Sequence, residues 1–352
     1  MEIEQLLNLV MQNNASDLHL MVGVPPMIRI DGSLSPVAGA QPLTAEQVQV
    51  LVLSLVSPEQ KEMLLTNKEI DFSYQYQKVR FRVNGYHEKG SLAAALRLIP
   101  EKIRTIEELK LPQVCHKFAR LNRGFVLVTG PTGHGKSTTL AAIIEEINQN
   151  RSEHVVTIED PIEFVYQPNK SIFSQREVHH DTLSWQVALK SVLREDPNVV
   201  LVGEMRDYET IAAALTIAET GHLVFATLHT NSAAQTVDRI IDVFPEHQQA
   251  QVRMQLAATL EAVFAQRLIP ASGGGRVPVT EILLSTPAVR NTIREGKTHQ
   301  IDNIIQTSGE LGMATLETSL TYWVKSGVIS LEEAQAHALR PEELARLVKG
   351  GG

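Results

Sequence analysis

Two kinds of hydrophobic patterning alternate in the first hundred residues. Apolar side chains recur at helical spacing near the N-terminus and over about 44–65, which predicts two helices. Apolar and polar residues alternate, as they do in strands, over 17–20, 27–30, 70–76, 79–86 and 92–99. Pro100 interrupts the last of these strands. The pattern predicts a small α+β domain over residues 1–100.

The charged segment 101–123 predicts a linker with a short helix. From Gly124 onward, short and nearly continuous apolar runs alternate with helical patterns. Such alternation is typical of a parallel sheet covered by helices on both faces. Beyond about 231 the periodicity is mostly helical, with one further strand predicted over 277–284. We therefore predict an α/β domain with C-terminal helices over residues 124–352, ending in a frayed tail of three glycines.

Composition excludes several classes of protein. With 43% apolar and 20% charged residues, the chain is neither disordered nor collagen-like. Its single cysteine, Cys115, cannot form a disulfide within the chain, which favours a reducing compartment such as the cytoplasm. The sequence shows neither a signal-peptide pattern nor an apolar run of membrane-spanning length, so we expect membrane association only through a partner. The net charge of −8 argues against broad attraction to nucleic acid, and no nucleic-acid partner is expected.

A glycine-rich loop supplies the strongest chemical signal. The sequence GPTGHGKS at 130–137 matches the phosphate-binding pattern GxxxxGK[ST], and it lies between an apolar strand and a helix, as the mechanism requires. Its glycines let successive backbone N–H groups face phosphate oxygens, while Lys136 supplies a cation and Ser137 a ligand for Mg²⁺. The residues predicted to bind the nucleotide are Gly130, Pro131, Thr132, Gly133, His134, Gly135, Lys136, Ser137 and Thr138. ATP and Mg²⁺ are the expected cofactors, and the alternative is a glycine-rich turn that binds no ligand.

Two carboxylates at predicted strand ends are candidates for activating water. The apolar run 199–202 is followed by Gly203 and Glu204, and we predict Glu204 as the general base or water-orienting residue. The segment TIEDPIE at 157–163 places three carboxylates just past another predicted strand, and Glu163 is the best single candidate among them. For both residues the alternative is an acid on a solvated loop.

Four segments together resemble a known family. They are GPTGHGKSTTLAA, IEDPIEF, LREDPNVVLVGEMRD and TGHLVFATLHT. They resemble the Walker A motif, Asp box, Walker B motif and His box of the secretion ATPase superfamily, and most closely its branch of type IV pilus retraction motors. Further segments, from ASDLHL at 15–20 to AVRNTIREGKTHQ at 288–300, extend the resemblance over nearly the whole chain. The resemblance implies a PAS-like N-terminal domain, a RecA-like P-loop ATPase domain, a homohexameric ring and ATP hydrolysis between subunits.

The resemblance also bears on histidines and arginines. On this analogy His222 and His229 belong to the His box and contact or sense the γ-phosphate region, and His229 is the one predicted to be catalytic. Ring ATPases need a cation to neutralise charge on the transferred phosphoryl group. We therefore predict Arg82 and Arg97 as arginine fingers, with Arg80 as a further candidate. The alternatives are packing histidines and screened arginines on a strand surface.

Two further segments call for interpretation. The stretch 288–295 resembles a segment associated with retraction in the family, and we interpret it as an interface that transmits motion rather than as a plain amphipathic helix. His134 stands where the family usually has a small hydroxyl residue. Because the loop acts mainly through backbone N–H groups, we expect nucleotide binding to remain intact, although an imidazole there can change nucleotide access or the response to pH.

The function implied is a hexameric ATPase motor that drives type IV pilus retraction, and hence twitching motility, by coupling ATP hydrolysis to domain motion. The partners implied are further copies of the chain, an inner-membrane pilus platform protein and a paralogous retraction ATPase, which would place the chain in the cytoplasm, peripheral at the inner membrane. Three alternatives stay open. The first is a pilus-assembly or secretion ATPase, although such motors usually carry an extra N-terminal domain and a tetracysteine zinc insertion. The second is a nucleotide-gated scaffold that would serve an active paralogue. The third is a RecA-like strand-exchange protein, which would need a basic, aromatic-lined groove.

Overall fold

The computed structural model describes residues 1–30, 32–77, 79–99 and 102–350, which divide into two units. The first unit comprises Met1–Lys102 and Pro161–Val165, and the second comprises Ile103–Asp160 and Tyr166–Gly352. Residues 103–123, within the predicted linker, belong to the second unit. Pro100 and Glu101, where the predicted first domain meets that linker, lie outside the described residues, as do Gly351 and Gly352 of the predicted tail.

The first unit is built on an antiparallel sheet of six strands in the order β3-β2-β1-β6-β5-β4. Its elements are α1 (Ile3–Gln12), β1 (Asp17–Leu20), β2 (Met27–Ile30), β3 (Ser33–Pro36), α2 (Ala45–Leu53), α3 (Pro58–Asn67), β4 (Glu69–Tyr76), β5 (Val79–Glu88) and β6 (Ser91–Ile99). Apolar side chains from the helices and from one face of the sheet form a single buried core. The predicted α+β class is confirmed for this unit.

The helix predicted over 44–65 is in fact two helices. Ser57 caps the second one, because its hydroxyl oxygen accepts from the backbone N–H of Gln60 at 3.2 Å. Pro58 occupies the first turn, where its missing N–H does no harm, whereas in a helix interior it would remove a hydrogen bond. Strand β3, whose four side chains are all exposed, also lies outside the predicted strands.

The second unit contains a seven-stranded sheet in the order β13-β12-β7-β11-β10-β8-β9. Neighbouring strands are parallel except for β12 and β13, which are antiparallel. The elements are α4 (Val114–Ala119), β7 (Gly124–Thr129), α5 (Lys136–Asn150), β8 (His154–Glu159), β9 (Ile172–Glu177), α6 (Trp185–Val192), β10 (Val199–Val202), α7 (Tyr208–Glu219), β11 (Leu223–Leu228), α8 (Ala233–Asp242), α9 (Glu246–Thr259), β12 (Leu260–Pro270), β13 (Arg276–Leu284), α10 (Pro287–Arg294), α11 (Ile301–Thr307), α12 (Leu316–Lys325), α13 (Leu331–His337) and α14 (Pro341–Lys349). The predicted α/β class with a parallel sheet is confirmed, but β9 and β12 lie outside the predicted strands.

Three adjacent strands position the candidate site. Every side chain of β7, β11 and β10 is buried, so these strands form the centre of the second unit. Because the strands are parallel, their carboxyl ends meet at one edge of the sheet, where ligands bind in open α/β folds. Within the described ranges, no helix is both long enough and apolar enough to cross a membrane.

Candidate functional site

The glycine-rich loop connects β7 to α5 as the motif predicts. Lys136 begins the helix, and Gly135, with a φ of +82°, caps it in the left-handed region that favours glycine. The ammonium group of Lys136 donates to the carbonyl oxygens of Gly130 at 2.9 Å and Pro131 at 3.1 Å. The cation therefore lies against the loop, where phosphate oxygens are able to replace those carbonyl oxygens.

Glu204 follows β10 and contacts two nitrogen-bearing side chains. One carboxylate oxygen accepts from Arg206 at 2.8 Å, and the other lies 3.0 Å from Nε2 of His229. Partial burial raises the pKa of Glu204, but the hydrogen bond and charge of Arg206, together with His229 and Lys136, bring the net pKa below its ordinary value. Glu204 is thus ionised at neutral pH, and a carboxylate of low basicity is better suited to orient a water molecule than to take its proton early.

His229 follows β11, the strand between β7 and β10, and it joins the loop to Glu204. Nδ1 of His229 lies 3.3 Å from the hydroxyl oxygen of Thr132, while Nε2 faces Glu204. A neutral ring with its proton on Nε2 satisfies both contacts, because Nε2–H donates to the carboxylate and Nδ1 accepts from the hydroxyl. Of the predicted site residues, the second unit thus brings together the loop, His229 and Glu204.

His222 lies at the other end of β11. It directly precedes the strand, and its Nδ1 is 3.0 Å from the hydroxyl oxygen of Thr220 and 3.1 Å from the carbonyl oxygen of Ile217. His222 and His229 are seven positions apart on extended chain, a distance of about 23 Å at the usual rise per residue. The structure does not bring His222 to the loop of its own chain.

The first unit holds the predicted arginines and Glu163. Arg82 on β5 contacts Asp71 through two guanidinium nitrogens, and a third nitrogen lies 3.7 Å from Glu163. Arg97, the cross-strand neighbour of Arg82 on β6, donates to Asp17 at 2.9 Å. Within this unit the structure therefore brings together Arg82 and Glu163. A role on a phosphate group requires the guanidinium group of either arginine to bind phosphate oxygens beside or instead of these carboxylates.

Side chains outside the predicted set also contact the predicted residues of the second unit, among them Arg206 and Gln266. Arg206 binds Glu204, and its place in the GEMRD segment, two residues after the acid, is a signal that the sequence contains. Gln266 on β12 accepts from the hydroxyl of Thr139 at 2.7 Å and donates to the carbonyl oxygen of His134 at 2.8 Å. No motif marks Gln266, and its strand lies outside the predicted strands.

The side chain of His134 faces β12. Its Nδ1 accepts from the backbone N–H of Leu268 at 2.9 Å. Partial burial lowers the pKa of His134, and the positive charges of Arg276, Arg267, Lys136 and His337 lower it further. The ring is therefore neutral at neutral pH, the state in which Nδ1 is able to accept a hydrogen bond.

The stretch 288–295 forms most of α10. Val289 and Ile293 are buried, as an amphipathic helix requires. Arg290 on the same helix donates to Glu261 at 3.1 Å, and Glu261 lies at the start of β12 where the pairing with β7 shifts register. The helix is thus bound directly to the strand that carries Gln266.

The chain is similar to known proteins over most of its length. A family model described as Type II/IV secretion system protein matches residues 1–336. The type IV pilus retraction ATPase PilT of Pseudomonas aeruginosa is 50% identical over 343 residues, which are 97% of this chain and 99% of that protein. A twitching motility protein of Neisseria gonorrhoeae is 50% identical over 322 residues, which are 91% of this chain and 86% of that protein.

A solved structure supports the same relationship. The crystal structure of the pilus retraction motor PilT with bound ADP has a TM-score of 0.91 and 44% identity to this chain, and it covers 98% of this chain and 99% of that chain. The predicted relationship to secretion ATPases, and among them to pilus retraction motors, is confirmed. The chain belongs to the type II/IV secretion system protein family.

Proposed function

We propose that this chain is an ATPase motor that retracts type IV pili. Relatives described as a pilus retraction ATPase and a twitching motility protein match it over nearly its whole length, and the similar solved structure contains ADP. The observation that carries the proposal is the series of contacts from Thr132 through His229 to Glu204, which links the phosphate loop to an ionised carboxylate across three adjacent strands.

ATP binding is assigned to the loop residues 130–138. Backbone N–H groups and the N-terminus of α5 would bind phosphate oxygens, and Lys136 would exchange the carbonyl oxygens of Gly130 and Pro131 for them. Ser137, in the first turn of α5, offers the hydroxyl oxygen that Mg²⁺ accepts as a ligand beside phosphate groups. Bound Mg²⁺ would neutralise phosphate charge.

Hydrolysis is assigned to Glu204, supported by His229. Glu204 would orient the attacking water, with Glu163 as the second candidate acid. Because His229 contacts both Thr132 and Glu204, a change in the position of the loop changes the hydrogen bonding of the carboxylate. His229 would thereby make water activation depend on what the loop binds.

We further propose that the chain works as a homohexamer, as the family resemblance implies. Arg82 and Arg97 lie in the first unit and the phosphate loop in the second, so arginine fingers would make hydrolysis depend on the position of the first unit. The 288–295 segment would transmit that motion. The ring would act on an inner-membrane pilus platform protein at the cytoplasmic side of the membrane, with a paralogous retraction ATPase as a further partner.

Steady-state phosphate release tests the enzymatic step. Wild-type protein with Mg²⁺ and ATP is expected to turn over, and Lys136→Ala should lose nucleotide binding. Glu204→Gln should keep binding but lose about 100-fold or more in kcat, because an amide keeps the shape of the carboxylate without its charge and its second acceptor oxygen. Lys190→Ala, on the exposed side of α6, is the matched control. Wild-type turnover no higher than that of Glu204→Gln would favour a nucleotide-gated scaffold, and full activity of Glu204→Gln would assign water activation to another acid.

Deletion of the gene in its native host tests the direction of the motor. Surplus surface fibres and loss of twitching, both restored by wild-type protein but not by Lys136→Ala, are the expected result. Cells without fibres would favour a pilus-assembly motor instead. Normal fibres with defective protein release would favour a secretion motor.

A further inference from the structure

We propose that Gln266 is a positioning residue for the nucleotide: from β12 it holds the phosphate loop in the curvature that binds phosphate. The inference rests on the proposed binding of ATP by this loop. It adds a residue whose side-chain hydrogen-bond partners, Thr139 and the carbonyl oxygen of His134, lie 127 and 132 positions earlier in the chain.

Gln266 is buried in the second unit. The residue is only 2% exposed. An uncharged amide at such a position destabilises the fold unless both of its polar ends have hydrogen-bond partners. Both ends do. The amide oxygen accepts from the hydroxyl of Thr139 on α5, and the amide nitrogen donates to the carbonyl oxygen of His134 in the loop. Gln266 therefore ties the loop to the helix that follows it.

The contact with Gln266 also fixes the direction of the loop's N–H groups. A trans peptide places its C=O and N–H groups on opposite sides. When Gln266 holds the carbonyl oxygen of His134, the N–H group of Gly135 in the same peptide is turned away from β12. Arg276 on β13 donates to the carbonyl oxygen of Gly133 at 3.3 Å and orients the N–H group of His134 in the same way. Such outward-facing N–H groups are the donors that phosphate oxygens need.

Strand β12 closely approaches two glycines of the motif. A Cβ atom on Gly130 would lie 2.1 Å from the backbone oxygen of Gln266, and a Cβ atom on Gly135 would lie 2.9 Å from its amide nitrogen. Both contacts are too short for a real side chain. The glycines thus serve the fit between the loop and Gln266 as well as the approach of a phosphate group.

Titration of ADP into the full-length protein tests the inference directly. Gln266→Met keeps the size of the side chain and removes both hydrogen bonds, so the loop loses its fixed curvature. We expect the Kd for ADP to rise by about fivefold, the factor that corresponds to one hydrogen bond of typical strength. KM for ATP should rise in parallel with little change in kcat, because the loop N–H groups bind phosphate in both the ground and the transition state.

Gln249→Met is the matched control. Gln249 on α9 also donates its amide to a backbone carbonyl oxygen, that of Phe244, but it has no part in the contacts around the loop described above. The Gln249→Met variant should leave the Kd for ADP unchanged. Parallel thermal unfolding separates positioning from general stability, since a merely structural glutamine would lower the unfolding temperature without changing the Kd at lower temperature.

A second pair of variants keeps the test decisive if Gln266→Met does not fold. Thr139→Val removes only the hydroxyl that supports Gln266, and we expect it to raise the Kd for ADP by about twofold, whereas Thr139→Ser retains a hydroxyl and should restore wild-type affinity. An unchanged Kd in the folded Gln266 or Thr139→Val variants would overturn the inference. Failure of the wild type itself to bind ADP would instead overturn the proposed function.

Discussion

At the scale of single residues, His134 gives the phosphate loop a titratable group whose pKa is lowered in the folded chain. Its pKa is lowered by partial burial and by neighbouring positive charges, from an ordinary value of 6.5. As pH falls through 6.5, the unfolded chain takes up this proton before the folded chain does, so the contribution of His134 to stability is lost with falling pH. Protonation of the folded chain at Nδ1 also removes the acceptor for the N–H group of Leu268.

We predict that His134→Asn weakens this dependence on acid. The amide oxygen of Asn stands close to the place of Nδ1 and accepts a hydrogen bond without titrating. Urea unfolding at pH 7.5 and pH 5.5 should show a smaller loss of unfolding free energy in the variant than in the wild type. His247→Asn, an exposed histidine on α9, should retain the wild-type loss. An equal loss in His134→Asn and wild type would mean that His134 does not contribute to the acid response.

At the scale of elements, the sequence predicts strands best where apolar and polar residues alternate or where apolar residues form a continuous run. Strands β1 and β2 lie where the alternation predicts them, and β7, β10 and β11 lie where apolar runs predict them. His229 was predicted from the family resemblance, whereas the loop and Glu204 could be located from the sequence pattern itself. Strand β12 could not, because its mixed sequence LEAVFAQRLIP follows α9 without a break and therefore continues a helical reading. Gln266 was not predicted either, because its strand was not predicted and its hydrogen-bond partners come from distant segments of the chain.

Another contact between distant elements involves Glu281 on β13. This residue is only 2% exposed, and one of its carboxylate oxygens accepts from the backbone N–H of Ala233, the first residue of α8, at 2.7 Å. Burial raises the pKa of Glu281 to about 7, against the lowering effect of that hydrogen bond, and Asp302 adds to the increase. The folded chain therefore keeps a proton that the unfolded chain has released. This contribution to stability is present below about pH 4.5 and is lost as pH rises towards 7.

We predict that Glu281→Gln stabilises the protein at pH 8 and not at pH 4.5. The amide oxygen still accepts from Ala233, but no buried charge forms as pH rises. The expected gain in unfolding free energy at pH 8 is on the order of 3 kcal/mol, which corresponds to the rise of the pKa from 4.5 to about 7. Urea unfolding at both pH values measures it, with Glu310→Gln, an exposed glutamate, as the control. A loss of stability of the same size at both pH values would instead indicate that the variant disturbs packing.

At the scale of the whole molecule, the candidate catalytic residues are divided between the two units, which affects how ATP would be hydrolysed in a ring. The phosphate loop, Glu204 and His229 lie in the second unit, and Arg82 and Arg97 in the first. The family resemblance suggested the arginines as fingers, but sequence alone could not specify whose nucleotide they serve. In a symmetric ring with head-to-tail interfaces, each site is completed by a neighbouring copy. An arginine supplied by that neighbour would tie hydrolysis to assembly.

Mixing two inactive variants tests this arrangement. Arg82→Ala should retain ATP binding and lose hydrolysis, because a finger acts mainly on the transition state, and Lys136→Ala should lose binding. In rings assembled from equal amounts of both, up to about one quarter of the sites pair an intact loop with an intact neighbouring arginine, so measurable phosphate release should return. Arg29→Ala, which also removes an arginine paired with a carboxylate in the first unit, should be active without mixing. Mixed rings that remain inactive would show that Arg82 acts within its own chain or only supports Asp71 and Glu163. Hydrolysis would then require no Arg82 from a second subunit.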